Sequence, residues 1–182
     1  MPGPNQPLPD DADAAGPPGD PEEVARIVVL RMLDRRAYTR SELEKALRKK
    51  GVPDDAGQRV LDRFSELRLI DDQALADGFA LAAHRERGLS GRAVALKLRQ
   101  RGVDDTTVDT AVGQIDRDSE VATARALAQR RLRALQGLAP EVQTRRLVGL
   151  LARKGYAPGL AYDVVRSVVT AVDDAVDEPG IC

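Results

Sequence analysis

Residues 94–103 read VALKLRQRGV, and two related stretches, LEKALRKKGV at 43–52 and LVGLLARKGY at 147–156, make the chain a threefold repeat. The three copies begin 51 and 53 residues apart. Each contains the same signature, an apolar residue followed at four-residue steps by a leucine and a glycine: Leu43, Leu47 and Gly51; Val94, Leu98 and Gly102; Leu147, Leu151 and Gly155. Repetition at a nearly constant period indicates an array of similar structural units.

The spacing within the signature predicts a helix that ends at its glycine. Apolar residues four positions apart lie on one face of a helix. Glycine enters the left-handed conformation at little steric cost, so it commonly follows the last helical turn. If Gly102 takes this position, Leu98 and Val103 are the two residues whose side chains touch in a Schellman cap. The other copies offer the same pairs: Leu47 with Val52, and Leu151 with Tyr156.

One further helix is predicted on each side of every signature helix. Apolar pairs predict the downstream helices: Leu61 and Phe64, Val112 and Ile115, and Val165 and Val168. Upstream helices are predicted at 24–35, 75–87 and 121–135. Their core residues are predicted to be Val24, Ile27, Val28, Leu30 and Leu33; Leu75, Phe79 and Ala82 or Ala83; and Val121, Ala124, Leu127 or Ala128, and Leu132.

This pattern predicts an all-α fold, with three tandem three-helix repeats that form an elongated, curved array. A single unit of about 50 residues buries little apolar surface, so stacking is needed for stability. We expect a disordered acidic Pro/Gly-rich tail at 1–22 and an acidic C-terminal tail at 173–182. The repeats are predicted to lie between them, at 23–70, 71–116 and 117–172.

Polar residues before several of these helices are predicted to cap them. Thr39 and Glu42 have the spacing of a capping box. Ser90 occupies the equivalent place before the second signature helix, and Gln143 before the third. Asp54 and Asp104 are predicted N-caps of the helices that follow the first two glycines.

Composition argues against catalysis, metal binding and membrane insertion. The chain has one cysteine, Cys182, and one histidine, His84, which cannot build a Cys/His zinc site. No nucleotide-binding or hydrolase motif is present, and no apolar run approaches the roughly 20 residues of a membrane span. His84 is predicted to be a surface residue. We therefore expect a cytoplasmic, non-enzymatic protein without cofactor or metal.

The formal net charge of −1 conceals a basic body between acidic ends. Residues 24–172 carry 28 basic and 19 acidic residues, a net charge of +9. Residues 121–160 include eight basic residues and a single acidic residue, Glu141. Such a distribution favours a polyanionic partner, either nucleic acid or an acidic protein groove. The predicted contact residues are basic side chains of the second and third repeats: Arg99, Arg101, Arg125, Arg130, Arg131, Arg133, Arg145, Arg146, Arg153 and Lys154.

The order of these motifs resembles the RecX family, bacterial regulators of the recombinase RecA. The resemblance rests on residues 69–72, on the run from Leu89 to Asp105, and on the equivalent runs 36–51 and 145–156. It implies a helical repeat protein that binds the RecA–DNA filament in its helical groove. It also implies restraint of filament growth, ATP hydrolysis, strand exchange and coprotease activity. On this basis we expect a monomer that binds the RecA filament and, weakly, single-stranded or double-stranded DNA.

Two other classes of function remain open at this point. Three-helix units with a glycine turn also resemble helix-turn-helix modules, which would make the protein a stand-alone DNA-binding or transcription-regulating protein. The helices after the glycines begin with acids, however, and carry few base-reading side chains. The other alternative is a helical-repeat adaptor for a different acidic protein.

Overall fold

The computed structural model describes residues 19–176, and their side chains as far as Thr170. Of the expected tails at 1–22 and 173–182, residues 1–18 and 177–182 lie outside the described residues. Helices and no strands occupy the described part of the chain. The helices are α1 Pro21–Leu33, α2 Arg40–Lys49, α3 Asp54–Glu66, α4 Asp72–Arg85, α5 Gly91–Gln100, α6 Asp105–Gly113, α7 Arg117–Leu132, α8 Pro140–Arg153 and α9 Pro158–Val176. A 3₁₀ turn at Arg133–Leu135 follows α7. The all-α, three-helix-repeat fold is therefore confirmed.

The chain divides into two compact units. The first unit ends at Asp71 and contains α1–α3, and the second unit begins at Asp72 and contains α4–α9. Each group of three helices surrounds its own apolar core. Leu43, Leu98 and Leu147 of the signatures are each completely buried in these three cores.

All three signature helices end in the predicted Schellman cap. The amide nitrogens of Val52, Val103 and Tyr156 donate to the carbonyl oxygens of Leu47, Leu98 and Leu151 at 3.1, 3.2 and 3.2 Å. Gly51, Gly102 and Gly155 have φ angles of 74°, 80° and 89°, the left-handed region that favours glycine. The signature is thus a buried helix face closed by a backbone cap.

The first helix of each repeat packs through small residues, and in α1 and α4 this differs in part from the prediction. Ala25 and Val29 form the buried face of α1, whereas Ile27 and Leu30 are 41% and 43% exposed. In α4 the buried residues include Ala76, Ala80 and Ala83, while Leu75 and Phe79 are only partly buried. Small side chains allow two helix backbones to approach closely. Ranking residues by hydrophobicity alone therefore overlooked small buried residues such as Ala25 and Ala76. The predicted Val28 and Phe79 are partly buried and pack against the cores. In α7, the predicted Ala124 and Leu132 are buried, together with Ala128.

Three of the predicted caps are present and two are wrong. Thr39 and Glu42 form the capping box, and Ser90 and Asp104 accept hydrogen bonds from the amides of Ala93 and Thr107 at 3.2 and 2.9 Å. Pro53, and not Asp54, is the N-cap of α3. The Asp54 carboxylate instead accepts a hydrogen bond from Arg48 at 2.9 Å.

Gln143 lies inside α8, which begins four residues earlier than expected, so its assignment as a cap was wrong. Pro140 occupies the first turn of α8, where its fixed φ favours helix initiation. The side-chain amide of Gln143 donates to the carbonyl oxygens of Leu135 and Leu138, at 3.3 and 2.9 Å.

His84 is buried, so its prediction as a surface residue was also wrong. Its side chain is 3% exposed, and Nδ1 lies 2.8 Å from the carbonyl oxygen of Leu89. Nε2 lies 3.1 and 3.0 Å from the hydroxyl oxygens of Ser119 and Thr123 on α7. Because a carbonyl oxygen only accepts, Nδ1 donates in this contact. His84 therefore joins the second repeat to the third.

Candidate polyanion-binding surface

The third repeat presents a set of exposed arginines on consecutive elements around one core. Ala124, Ala128 and Leu132 occupy the inner face of α7, so the arginines between them project outward. In α8, Leu147 and Leu151 face the core in the same way. Seven of the predicted contact residues are exposed here: Arg125, Arg130, Arg131, Arg133, Arg145, Arg146 and Arg153. We call these seven the third-repeat arginines.

No side chain of the third-repeat arginines forms an ion pair or hydrogen bond with another residue of the described chain. The first unit differs sharply. Seven of its arginines pair with carboxylates, at N–O distances between 2.6 and 3.6 Å: Arg26, Arg36, Arg40, Arg48, Arg59, Arg63 and Arg68. Most arginines of the first unit thus have a carboxylate partner, whereas the third-repeat arginines have none. An uncompensated cation retains its full attraction for an external anion.

The structure places three other predicted contact residues in internal interactions. Arg99 pairs with Asp105 at 2.6 Å and with Asp109 at 3.4 Å. The hydrogen bond to Asp105 raises the pKa of the Arg99 guanidinium, and the charges of both aspartates add to this effect. The Arg101 guanidinium lies 5.9 Å from the ring centre of Phe79. Lys154 donates from Nζ to the carbonyl oxygen of Arg87 at 2.7 Å.

One exposed aromatic residue beside this surface was missed by sequence reasoning. Tyr162 on α9 is 59% exposed and lines a surface cavity of about 490 Å³ together with Thr144, Arg145 and Val148. Aromatic rings beside cations provide stacking surfaces for nucleic-acid bases. Two features of the sequence could have identified Tyr162. It lies outside the apolar stripe of α9, and aromatic residues make up only 3% of the chain.

The titratable residues of the described chain do not gather into a metal centre. No group of three or more His, Cys, Asp or Glu side chains with metal-binding geometry occurs among them. No described helix is long and apolar enough to span a membrane. Cys182 lies outside the described residues.

Comparison with protein families gives three consecutive matches along the chain. Models of the first, second and third three-helix domains of RecX match residues 25–64, 71–112 and 118–165. Together these matches cover more than half of the chain and follow the order of the repeats. The chain belongs to the RecX family.

Individual RecX proteins agree with this assignment. The chain is 46% identical over 170 residues to the regulatory protein RecX of Thermobifida fusca, covering 90% of this chain and 92% of that protein. It is 46% identical over 158 residues to the regulatory protein RecX of Streptomyces coelicolor, covering 87% and 84%.

Two solved RecX structures share the fold. The crystal structure of RecX from Lactobacillus salivarius matches with a TM-score of 0.72 and 19% identity, covering 85% of this chain and 97% of that one. A second crystal structure, of a regulatory protein RecX, matches with a TM-score of 0.70 and 21% identity, covering 81% and 72%.

The paired arginines of the first unit and the third-repeat arginines fall in different RecX domains. The first RecX domain, residues 25–64, contains paired arginines such as Arg40 and Arg59. The third RecX domain, residues 118–165, contains all seven third-repeat arginines. The two domains therefore share a fold but differ in how many of their arginines are paired with carboxylates.

Proposed function

We propose that the protein is a monomeric, cytoplasmic negative modulator of RecA that acts by binding rather than by catalysis. It binds the RecA–DNA filament in the helical groove and restrains filament growth, ATP hydrolysis, strand exchange and coprotease activity. Such a role belongs to DNA repair and recombination and to the SOS response. The observation that carries this proposal is the set of unpaired third-repeat arginines in a chain of the RecX family.

The charge distribution gives this proposal its physical basis. A filament that contains DNA presents a regular series of phosphates. Each arginine that contacts a phosphate releases condensed counterions, which favours binding at low salt. The third-repeat arginines need break no internal ion pair to make such contacts. The paired arginines of the first unit would first have to exchange one partner for another.

Stand-alone DNA binding is the competing function, and Tyr162 beside Arg145 is the observation in its favour. The third helices of the first two repeats argue against a base-reading role. Asp54 at the start of α3 pairs with Arg48, and Asp105 at the start of α6 pairs with Arg99. Acidic helix starts repel phosphates, so neither helix is suited to entering a DNA groove by its N-terminus.

The decisive experiment titrates purified protein into the single-stranded-DNA-dependent ATPase of RecA. We expect ATP hydrolysis to fall as protein is added. Replacing Arg130, Arg131 and Arg133 by alanine should reduce the inhibitory potency by about tenfold, equivalent to about 1.4 kcal/mol of binding free energy. An ATPase rate that is unchanged at stoichiometric protein contradicts the proposed function.

A matched control removes the same charge from the first unit. Arg26, Arg48 and Arg63 are exposed and ion-paired, so replacing these three by alanine should leave inhibition within about twofold. Equal loss of inhibition in both triple variants would show that only net charge matters. Binding assays on DNA without RecA complete the comparison, since tight, sequence-selective binding there favours the competing function.

A further inference from the structure

A groove of about 730 Å³ separates α5 from the junction of α8 and α9, within the second unit. It is distinct from the outer face of α7, which carries Arg125, Arg130 and Arg131. The lining combines basic and apolar side chains and includes no aspartate or glutamate. This combination of positive charge and apolar surface defines the kind of ligand that fits.

The walls of the groove are fixed by contacts between the second and third repeats. The amide nitrogen of Ser90 donates to the carbonyl oxygen of Lys154 at 3.0 Å. Lys154 also donates from Nζ to the carbonyl oxygen of Arg87 at 2.7 Å. At Gly155 the two backbones approach so closely that an added Cβ would lie 2.6 Å from the Cβ of Ala93. A groove between walls held in this way is formed before any ligand binds.

Three cations of the groove are available to a ligand. Arg92 and Lys97 on α5 and Arg153 on α8 are exposed, and none of them pairs with another residue of the described chain. Arg99, which also lines the groove, is already held by Asp105 and Asp109. The ligand must therefore supply negative charge to both walls.

The apolar part of the groove distinguishes between two anionic ligands, a nucleic acid and an acidic protein segment. Leu96 lies in the lining and is 57% exposed, and Ala93 and Pro158 lie there with it. Tyr156 also lines the groove, but its side chain is 4% exposed. Burial and the nearby charge of Glu120 raise the pKa of its phenol to about 12, so it is uncharged at neutral pH. A nucleic acid gains affinity from phosphate contacts and from base stacking on exposed rings, and this groove exposes no ring.

We propose that the groove binds an acidic protein segment that carries at least one leucine-like side chain. The apolar side chain packs against Leu96, and the carboxylates of the segment pair with Arg92, Lys97 and Arg153. The proposal rests on the proposed function for the identity of the partner, which is RecA in the filament. The chemistry of the bound segment, acidic with a leucine-like side chain, follows from the groove alone. The DNA of the filament is then contacted by the other third-repeat arginines.

The first test uses two labelled peptides and the full-length protein, with binding measured by fluorescence anisotropy. One 16-residue peptide consists of glutamate with leucine at helical spacing, and the other has serine in place of each leucine. We expect the leucine peptide to bind about tenfold more tightly, because leucine burial favours binding and the charge is equal. Equal affinities of the two peptides would overturn the proposal.

Variants of the protein locate the site of peptide binding. Leu96→Ser should remove the preference for the leucine peptide, and Arg92→Ala with Lys97→Ala should weaken binding of both peptides. Two controls match these changes. Leu81→Ser alters another leucine, 49% exposed on α4, and Arg130→Ala with Arg131→Ala removes the same charge outside the groove. A preference that survives Leu96→Ser places the peptide elsewhere and overturns the proposal.

A second measurement separates failure of this inference from failure of the proposed function. The wild type and Leu96→Ser are each assayed for binding to RecA filaments and to naked single-stranded DNA. If the wild type binds no filament, the proposed function fails while the peptide result still decides the inference. If Leu96→Ser weakens filament binding about tenfold and leaves DNA binding unchanged, the groove contacts protein. Equal loss on naked DNA would assign the groove to nucleic acid and contradict the inference.

Discussion

The amide nitrogen of Ser90 donates a hydrogen bond to the carbonyl oxygen of Lys154 at 3.0 Å, and this bond joins the second repeat to the third. Both residues also serve their own helices. The Ser90 hydroxyl accepts from the amide of Ala93 as the N-cap of α5, and Lys154 is the C-cap of α8. The start of one signature helix is therefore bonded to the end of the next.

Gly155→Ala should test how closely the two repeats must approach. An added Cβ would lie 2.6 Å from the Cβ of Ala93 and 2.7 Å from Oγ of Ser90, at a φ of 89°. We expect a loss of about 2–5 kcal/mol, the sum of the left-handed penalty and of overpacking. Chemical denaturation measures this loss.

Gly51→Ala provides the control for that substitution. Gly51 occupies the same cap in the first repeat at a φ of 74°, but no atom lies within 4 Å of its added Cβ. Only the left-handed penalty of about 1–2 kcal/mol should appear there. Equal losses at the two glycines would mean that the junction can relax, contrary to our expectation.

Arg68→Gly should stabilise the first unit. Arg68 has a φ of 56° and follows α3 in a Schellman cap, in which Leu69 donates to the carbonyl oxygen of Phe64 at 2.9 Å. Glycine removes the left-handed penalty but increases the entropy of the unfolded chain, for a net gain of about 0.5–1 kcal/mol. The ion pair lost with Asp71 contributes little, since the Arg68 side chain is 84% exposed. Arg68→Ala, which keeps the left-handed penalty, should show no gain in urea denaturation.

The repeat and its caps could be predicted because they depend on residues close together in sequence. A leucine, a glycine and the apolar residue after it determine each Schellman cap. Thr39 and Asp104 likewise cap their helices by accepting from an amide only three positions ahead. Asp54 is not a cap because α3 begins one residue earlier than predicted, with Pro53 at the N-cap position.

Burial by another element could not be predicted in the same way. His84 is buried because α7 brings Ser119 and Thr123 against its ring, 35 and 39 residues away in sequence. Ile27 is exposed because α1 turns its small Ala25 toward the core. For the candidate surface, sequence identified the arginines. It did not show that Arg99 is held by Asp105 or that Arg130 has no partner in the described chain.

The cap of α6 should make stability depend on pH in the acid range. Hydrogen bonds from the side chain and the amide of Thr107 lower the pKa of Asp104 below its usual 3.8. A lowered pKa in the folded state stabilises the fold above pH 3.8, and this contribution is lost as pH falls through the folded-state value. Asp104→Ala should therefore lower Tm at pH 7, and the difference from wild type should narrow below pH 3.8.

Asp104→Asn serves as the control, because asparagine also caps well but does not titrate. Its Tm at pH 7 should stay near that of the wild type, and the cap should persist at acid pH. If the Tm difference between wild type and Asp104→Ala stays constant from pH 7 to pH 2, the carboxylate does not act through the cap.

The third-repeat arginines should determine how strongly salt weakens binding to single-stranded DNA. Each phosphate contact that is lost reduces the slope of log K against log salt by about 0.7 for single strands. Replacing Arg130, Arg131 and Arg133 by alanine should therefore reduce the slope by up to about 2. Replacing the paired Arg26, Arg48 and Arg63 should change it by less than about 0.7, because their charge is already compensated by Glu23, Asp54 and Glu66. Equal slopes for both triple variants, from fluorescence titrations at several salt concentrations, would mean that DNA senses only the net charge of the chain.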